Sequence, residues 1–169
     1  MTHPFDPLHV ASDTGAALIF TPCPGTKGTS VRDALTTLQH AGAHAVISLT
    51  PSAELAALNV SELGAECAEL DLAWFHCPVA DDHAPSDDFT NAWLKAAPTI
   101  HQLLDAGKSV AIHCKGGSGR TGLIAAQILF ERGHPKTSII GSVQSLRPFA
   151  LTLAPHVQYF NALTSNKDQ

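Results

Sequence analysis

One cysteine and one arginine, separated by five residues, are the groups in this chain that could do chemistry together. They lie in the run His113-Cys114-Lys115-Gly116-Gly117-Ser118-Gly119-Arg120-Thr121-Gly122. A thiolate is a nucleophile, and the planar guanidinium group of arginine can donate parallel hydrogen bonds to two oxygens of a phosphate. The glycines between them allow backbone N–H groups to converge on an anion. The pattern therefore favours transfer of a phosphoryl group to Cys114.

Phosphoryl transfer would give each neighbouring residue a role. A helix N-terminus and Arg120 both favour the thiolate form of Cys114. Thr121 could donate its hydroxyl to the cysteine sulfur, which would then leave more easily in a second step. We expect His113 to support the loop through hydrogen bonds rather than to touch the substrate. The expected phosphate-binding residues, which act through backbone N–H groups and the guanidinium, are Lys115, Gly116, Gly117, Ser118, Gly119 and Arg120.

Two other interpretations of this loop stay open. A Walker-type nucleotide loop needs Gly-Lys-Ser/Thr, whereas Lys115 directly follows the cysteine and precedes two glycines. A Rossmann-type loop needs an acidic residue at the end of the next strand, but helical patterns follow here. A glycine-rich turn without function is the remaining alternative.

The sequence around the loop predicts an α/β fold. Apolar runs predict strands at 17–21, 44–49, 73–79 and 109–113, with helical patterns between and after them. We expect helices at about 30–39, 52–58, 61–69, 87–105, 121–132, 135–146 and 155–164. Pro98 should either kink or break the fourth of these helices. We expect residues 1–16 to form an irregular arm.

Alternation of strands and helices indicates three layers, with a central, mostly parallel sheet of about four or five strands flanked by helices. We expect one domain over residues 1–169. Anion sites in such folds lie beyond the carboxyl ends of the strands, and Cys114 directly follows the strand at 109–113. The predicted fold therefore places the loop where a phosphate site belongs.

Composition narrows the partners and the compartment. The chain has 15 acidic residues against 10 Lys and Arg, with a net charge of -5, which argues against nucleic acid as the main partner. No apolar run approaches the roughly 20 residues of a membrane span, and no signal-peptide pattern is visible.

The four cysteines form no C-x-x-C pair, so we expect reduced thiols and a cytoplasmic protein. The ten histidines lack metal-ligand spacing, so we expect no metal and no cofactor. The sequence leaves the oligomeric state undefined.

The pattern His-Cys-x5-Arg-Thr/Ser-Gly resembles the signature of cysteine-dependent protein tyrosine and dual-specificity phosphatases. The segment 75–81 has the sequence Phe-His-Cys-Pro-Val-Ala-Asp. It is similar to the segment that carries the general acid in the kinase-associated dual-specificity phosphatases, which are of the cyclin-dependent-kinase-inhibitor type. The resemblance extends over about residues 17–164. It implies a protein tyrosine phosphatase-like fold and hydrolysis of phosphotyrosine in phosphorylated proteins through a phosphocysteine intermediate. Phosphoserine and phosphothreonine stay open as further substrates.

The resemblance also places the general acid at Asp81, with Asp82 as the alternative. The same carboxyl would later act as a base for the attacking water. An acidic surface loop without catalytic role is the third interpretation. Many relatives carry a water-orienting glutamine near Thr152 or Leu153, and this chain has none there.

A resolving cysteine of some relatives corresponds to Thr50 here. Cys23 or Cys77 therefore stay candidates for a disulfide with Cys114, although buried structural thiols would fit the same pattern. Arg147 could line the pocket or brace the loop, or it could bind the carbonyls at its helix end.

Two other functions stay open. A phosphatase for phosphoinositides or other small phosphate esters would use the same loop, but lipid-phosphatase relatives carry a second lysine where Ser118 stands. A phosphate-binding pseudophosphatase usually lacks the cysteine or the acid, and this chain has both.

Overall fold

A five-stranded sheet organises the protein, whose computed structural model describes residues 2–11 and 13–165. The strands are β1 (Asp6–His9), β2 (Ala17–Thr21), β3 (Ala43–Ser48), β4 (Ala73–His76) and β5 (Ser109–His113). Their order is β1-β2-β5-β3-β4, with β1 antiparallel to β2 and the other pairs parallel. The predicted α/β fold with a mostly parallel sheet is confirmed.

Helices cover both faces of the sheet. They are α1 (Val31–His40), α2 (Ser52–Ala57), α3 (Leu63–Glu69), α4 (Asp87–Asp105), α5 (Gly119–Glu131), α6 (Lys136–Leu146) and α7 (Ala154–Ala162). Alternate strand residues point to opposite faces. Phe20, Ile47 and Ile112 pack with α4 to α7, whereas Ile19, Val46 and Ala111 pack with α1 to α3. Burial on both faces explains why the central strands are continuous apolar runs.

The predicted irregular arm at 1–16 is wrong for Asp6–His9, which forms the edge strand β1. Its backbone pairs with β2 from Asp6 opposite Phe20 to His9 opposite Ala17. The strand is largely exposed and has no alternating apolar residues, so the sequence contains no side-chain signal for it.

Helix α4 has the predicted bounds and continues through Pro98, so the predicted break is excluded and a kink stays a prediction. Pro98 lies on an exposed face where water can hydrate the carbonyl left without its donor. Two boundaries next to the site differ from the prediction. Strand β4 ends at His76 rather than at residue 79. Helix α5 begins at Gly119 rather than at Thr121, so Arg120 lies in its first turn. None of the described helices is long and apolar enough to cross a membrane.

Candidate active site

Cys114 follows the central strand β5 and is 4% exposed. Its sulfur accepts hydrogen bonds from the backbone N–H of Gly117 and from the hydroxyl of Thr121, both at 3.2 Å. Both donors stabilise negative charge on sulfur. The Cys114 loop (residues 114–120) thus surrounds the sulfur with the donors that a thiolate needs, and the catalytic roles of Cys114 and Thr121 stay predictions.

Gly117 determines the close packing of this loop against β2. Its φ of +79° lies in the left-handed region. A Cβ atom there would lie 2.6 Å from the carbonyl carbon and oxygen of Thr21 and 2.7 Å from the nitrogen of Pro22. No side chain could occupy that space without displacing the backbone.

Two backbone carbonyls of the Cys114 loop accept hydrogen bonds from residues outside the loop. Arg147 Nε donates to the carbonyl of Gly117 at 2.9 Å, and the N–H of Cys23 donates to the carbonyl of Lys115 at 3.0 Å. Arg147 also donates to the Asp6 carboxylate at 2.8 Å, which links the loop to β1. Arg147 Nη1 also donates to the carbonyl of Leu146 at the end of its helix at 2.9 Å. Among the alternatives left open for Arg147, the structure therefore supports both bracing of the loop and binding of the helix-end carbonyl.

His113 lies at the buried end of a hydrogen-bond chain. Its Nδ1–H donates to the carbonyl of Cys114 at 3.0 Å, so its Nε2 accepts from the hydroxyl of Ser48 at 2.5 Å. Trp74 Nε1 in turn donates to Ser48 Oγ at 2.8 Å. Burial lowers the pKa of His113 to about 4, so the ring is neutral near pH 7. His113 supports the loop in the manner that we expected, and its contribution to catalysis stays a prediction.

Arg120 is held by a carboxylate that sequence reasoning missed. Its Nη1 and Nη2 donate to the two carboxylate oxygens of Glu54 at 3.0 and 2.8 Å, and Nη1 also donates to the carbonyl of Val79 at 2.9 Å. Burial acts to lower the pKa of Arg120, but the hydrogen bonds to Glu54 and the nearby negative charges outweigh it. The pKa of Arg120 therefore lies above its usual value. The available signal was an acidic residue in the short helix that follows the carboxyl end of β3.

A cavity of about 380 Å³ opens above the Cys114 loop. Its lining residues are Asp81, Asp82, Cys114, Lys115, Gly116, Ser118, Gly119, Arg120, Phe149, Thr152, Leu153 and His156. Every predicted catalytic and phosphate-binding residue lines this cavity except Gly117 and Thr121, which instead donate hydrogen bonds to the Cys114 sulfur. Phe149 is 86% exposed at this cavity, where a substrate would meet an aromatic ring.

The loop 80–85 carries both candidate acids. The Asp81 side chain is 62% exposed, with its carboxylate 3.5 Å from Arg120 Nη2. Asp82 has a φ of +60°, in the left-handed region. His83 Nδ1 donates to the carbonyl of Asp81 at 2.7 Å. The geometry brings both carboxyls to the cavity and leaves the choice between them open.

His156 is a second cavity residue that sequence reasoning missed. It is 3% exposed, and its Nε2 donates to the carbonyl of His83 at 2.9 Å. Burial lowers its pKa. No local pattern singles it out, because a lone histidine in a helix is ambiguous in a sequence.

The other three cysteines are buried free thiols. Burial, followed by the nearby charge of Cys114, raises the pKa of Cys23 to about 12, and burial raises that of Cys77 to about 11. Both thiols are therefore protonated at neutral pH, and a disulfide of either with Cys114 stays a prediction. Within residues 2–11 and 13–165, no three His, Cys, Asp or Glu side chains are grouped so that they could hold a metal ion.

Comparisons with known proteins match this chain to phosphatases. Residues 24–134 match the family model described as "Polymorphic toxin system, DSP-PTPase phosphatase". The chain is 32% identical over 69 residues to the tyrosine-protein phosphatase CDC14 of Candida albicans and 35% identical over 69 residues to that of Saccharomyces cerevisiae. Each match covers 40% of this chain and only 12% of the relative's length.

The fold is also similar to a solved structure. Kinase associated phosphatase, crystallised with its catalytic cysteine replaced by serine, superimposes with a TM-score of 0.81. The match covers 95% of this chain and 93% of the other, at 21% identity. At that identity the likeness concerns the fold alone.

Proposed function

We propose that the chain, which belongs to the family described as "Polymorphic toxin system, DSP-PTPase phosphatase", hydrolyses phosphotyrosine through a phosphocysteine intermediate. The resemblance of its signature implied the broader class of cysteine-dependent dual-specificity phosphatases, and the family match agrees with that class. One observation carries this proposal. The Cys114 sulfur accepts from Thr121 and the Gly117 N–H, while the buried Arg120 lines the same cavity. A nucleophile and a bidentate phosphate ligand thus share one site.

The first step forms the bond between the Cys114 sulfur and phosphorus. The bond between phosphorus and the tyrosyl oxygen breaks, and Asp81 gives its proton to that leaving oxygen. Arg120 and the N–H groups of the Cys114 loop bind the other phosphate oxygens as charge spreads over them. The products of this step are free tyrosine hydroxyl and phosphocysteine.

The second step releases phosphate. Water attacks phosphorus, Asp81 takes a proton from that water, and the bond between sulfur and phosphorus breaks. The hydroxyl of Thr121, 3.2 Å from the sulfur, stabilises the departing thiolate. No step of this scheme calls for a cofactor.

The cavity lining supports an aryl phosphate within a phosphorylated protein as the substrate. Phe149 and Leu153, exposed by 86% and 39%, give the cavity an apolar side that suits an aromatic ring. Asp81 and Asp82 at the same cavity would repel a polyanionic inositol phosphate. Hydrolysis of phosphoserine and phosphothreonine stays open.

The four free cysteines support a reducing compartment, the cytoplasm.

The decisive experiment is turnover of para-nitrophenyl phosphate with EDTA present and with vanadate as inhibitor. The Cys114→Ser protein should bind a phosphotyrosyl peptide without hydrolysing it. Cys67→Ala, in helix α3 away from the cavity, is the matched control and should keep its turnover. Turnover that survives Cys114→Ser would reject the phosphocysteine mechanism.

A substrate panel tests the choice of substrate. Phosphotyrosyl and phosphoseryl peptides are compared with soluble inositol phosphates at equal concentration. A kcat/KM that is higher for inositol phosphates than for the phosphotyrosyl peptide would reject the phosphotyrosine proposal in favour of the alternative phosphatase function.

A further inference from the structure

Two polar contacts tie the loop 80–85 to the rest of the described chain. One is the approach of the Asp81 carboxylate to Arg120 at 3.5 Å, and the other is the hydrogen bond from His156 to the carbonyl of His83 at 2.9 Å. Phosphate would compete for Arg120 in the first contact. The second contact does not involve a group that binds phosphate, so it can persist while substrate is bound.

We propose that His156 is a positioning residue that holds the loop 80–85, here called the acid loop, against the Cys114 cavity during proton transfer. This inference rests on the phosphatase function proposed above. It extends that function by assigning the placement of the acid to a side chain from α7, far along the chain from either catalytic segment.

The position of His156 suits this role. It lies in the first turn of α7 and is 3% exposed, so its ring is fixed by its surroundings. A Cβ placed on Gly119 would lie 3.8 Å from its Cε1, so the ring packs against the start of α5. On the other side, its Nε2–H reaches the His83 carbonyl. The imidazole therefore bridges the Cys114 loop and the acid loop.

The acid loop turns sharply at Asp82, whose φ of +60° lies in the left-handed region that Asp and Asn adopt more readily than other non-glycine residues. The His83 ring donates to the Asp81 carbonyl at 2.7 Å, which stabilises the turn from within. His156 binds the carbonyl of that same His83. The two hydrogen bonds in series fix the backbone on which Asp81 stands.

Support of the backbone matters because the Asp81 side chain is 62% exposed and has no packed surroundings of its own. The position of its carboxyl therefore depends on its backbone. A displacement of about 1 Å at a reacting group can cost on the order of a hundredfold in rate. Loss of the His156 hydrogen bond should thus weaken proton transfer more than phosphate binding.

Leaving-group dependence separates positioning from packing. We would measure kcat/KM, which covers the steps up to phosphocysteine formation, for phenyl phosphate and para-nitrophenyl phosphate. Phenolate is the poorer leaving group and needs the acid more. His156→Leu should lower kcat/KM for phenyl phosphate about tenfold and that for para-nitrophenyl phosphate no more than about twofold.

A conservative variant and a double variant sharpen the test. The amide nitrogen of His156→Gln can take the place of Nε2, so this variant should recover most of the phenyl phosphate activity. In the background of Asp81→Asn, His156→Leu should cause no further loss, since the group that it positions is gone. Equal losses on both substrates, no loss on either, or a loss that adds to Asp81→Asn would overturn the inference.

His83→Ala keeps the test valid if His156→Leu does not fold. His83 is exposed, and within the described part of the chain its ring makes one hydrogen bond, to the Asp81 carbonyl. This variant should show the same selective loss on phenyl phosphate, and an unchanged ratio between the two substrates would count against the inference.

Wild-type protein without turnover would overturn the proposed function together with the inference. Wild-type turnover, with selectivity in Asp81→Asn and none in His156→Leu or His83→Ala, would overturn the inference alone.

Discussion

Arg120 and Glu54 form a bidentate ion pair beside the cavity, with nitrogen–oxygen distances of 3.0 and 2.8 Å. The arginine side chain is 2% exposed and the carboxylate 22%, so water screens this pair less than a surface pair. The carboxylate fixes the guanidinium plane before substrate arrives. Glu54 therefore orients Arg120 at the proposed phosphate site without being part of the cavity lining.

Glu54→Gln should weaken phosphate binding. The neutral amide keeps one acceptor but loses the charge-assisted pair, so Arg120 becomes less well oriented. We expect kcat/KM for para-nitrophenyl phosphate to fall about tenfold, mostly through KM, because one such interaction contributes about 1–2 kcal/mol. Steady-state kinetics measure the change. Glu62→Gln, an exposed acid just before α3, is the matched control, and equal kinetics in both variants would contradict this role.

Asp81→Asn and Asp82→Asn should separate the two candidate acids. We expect Asp81→Asn to lower kcat/KM for phenyl phosphate by about a hundredfold or more, since general acids contribute roughly that factor, with a much smaller loss for para-nitrophenyl phosphate. Asn tolerates the left-handed backbone at position 82, so Asp82→Asn preserves the loop and serves as its control. The reverse result would identify Asp82 as the acid.

Phe149→Ser should raise KM for a phosphotyrosyl peptide about three- to tenfold, because an aromatic contact contributes roughly 0.5–1.5 kcal/mol. We expect kcat to stay the same, and KM for a phosphoseryl peptide to change little, because the side chain acts on the substrate ring. Leu94→Ser removes another exposed apolar side chain, 69% exposed on α4 and away from the cavity. A KM change of the same size in Leu94→Ser would show that the effect is not specific to the cavity.

His113 should make the free energy of unfolding depend on pH. Its pKa is lowered to about 4 in the folded protein, against about 6.5 in an unfolded chain. Between these values the unfolded chain binds a proton that the folded protein excludes, so stability rises with pH. This contribution is complete above pH 6.5 and is lost as the pH falls towards 4, by an amount on the order of 3 kcal/mol.

Urea unfolding at pH 7 and pH 4.5 measures this dependence. His113→Asn is the control, because its amide nitrogen can still donate to the Cys114 carbonyl while the group cannot titrate. The variant should lose about 2–3 kcal/mol less than the wild type between the two pH values. The same loss in both proteins would refute the assignment to His113.

The fold could be predicted where side-chain patterns are strong. Strands β2, β3 and β5 are predicted to within a residue or so because their apolar residues are buried on both faces. Strand β1 escaped prediction because its pairing with β2 is through the backbone and, of its side chains, Leu8 is the one packed against the core, so no alternation marks the strand. The start of α5 lies two residues earlier than predicted, because glycines at its N-terminus disfavour a helix locally, whereas the turn of the Cys114 loop leads directly into the helix there.

The sequence alone pointed to the nucleophile and the phosphate ligand of the proposed chemistry, because these residues lie close together along the chain. Cys114, Arg120 and Thr121 are separated by fixed numbers of residues, and a strand, a turn and a helix start hold them near one another. Only the tertiary structure decided that Glu54 holds Arg120 and that His156 binds the acid loop. Parallel strands bring their carboxyl ends to one edge of the sheet, so segments far apart in sequence meet there. No local sequence pattern predicts such contacts, since they arise from the packing of whole helices and strands.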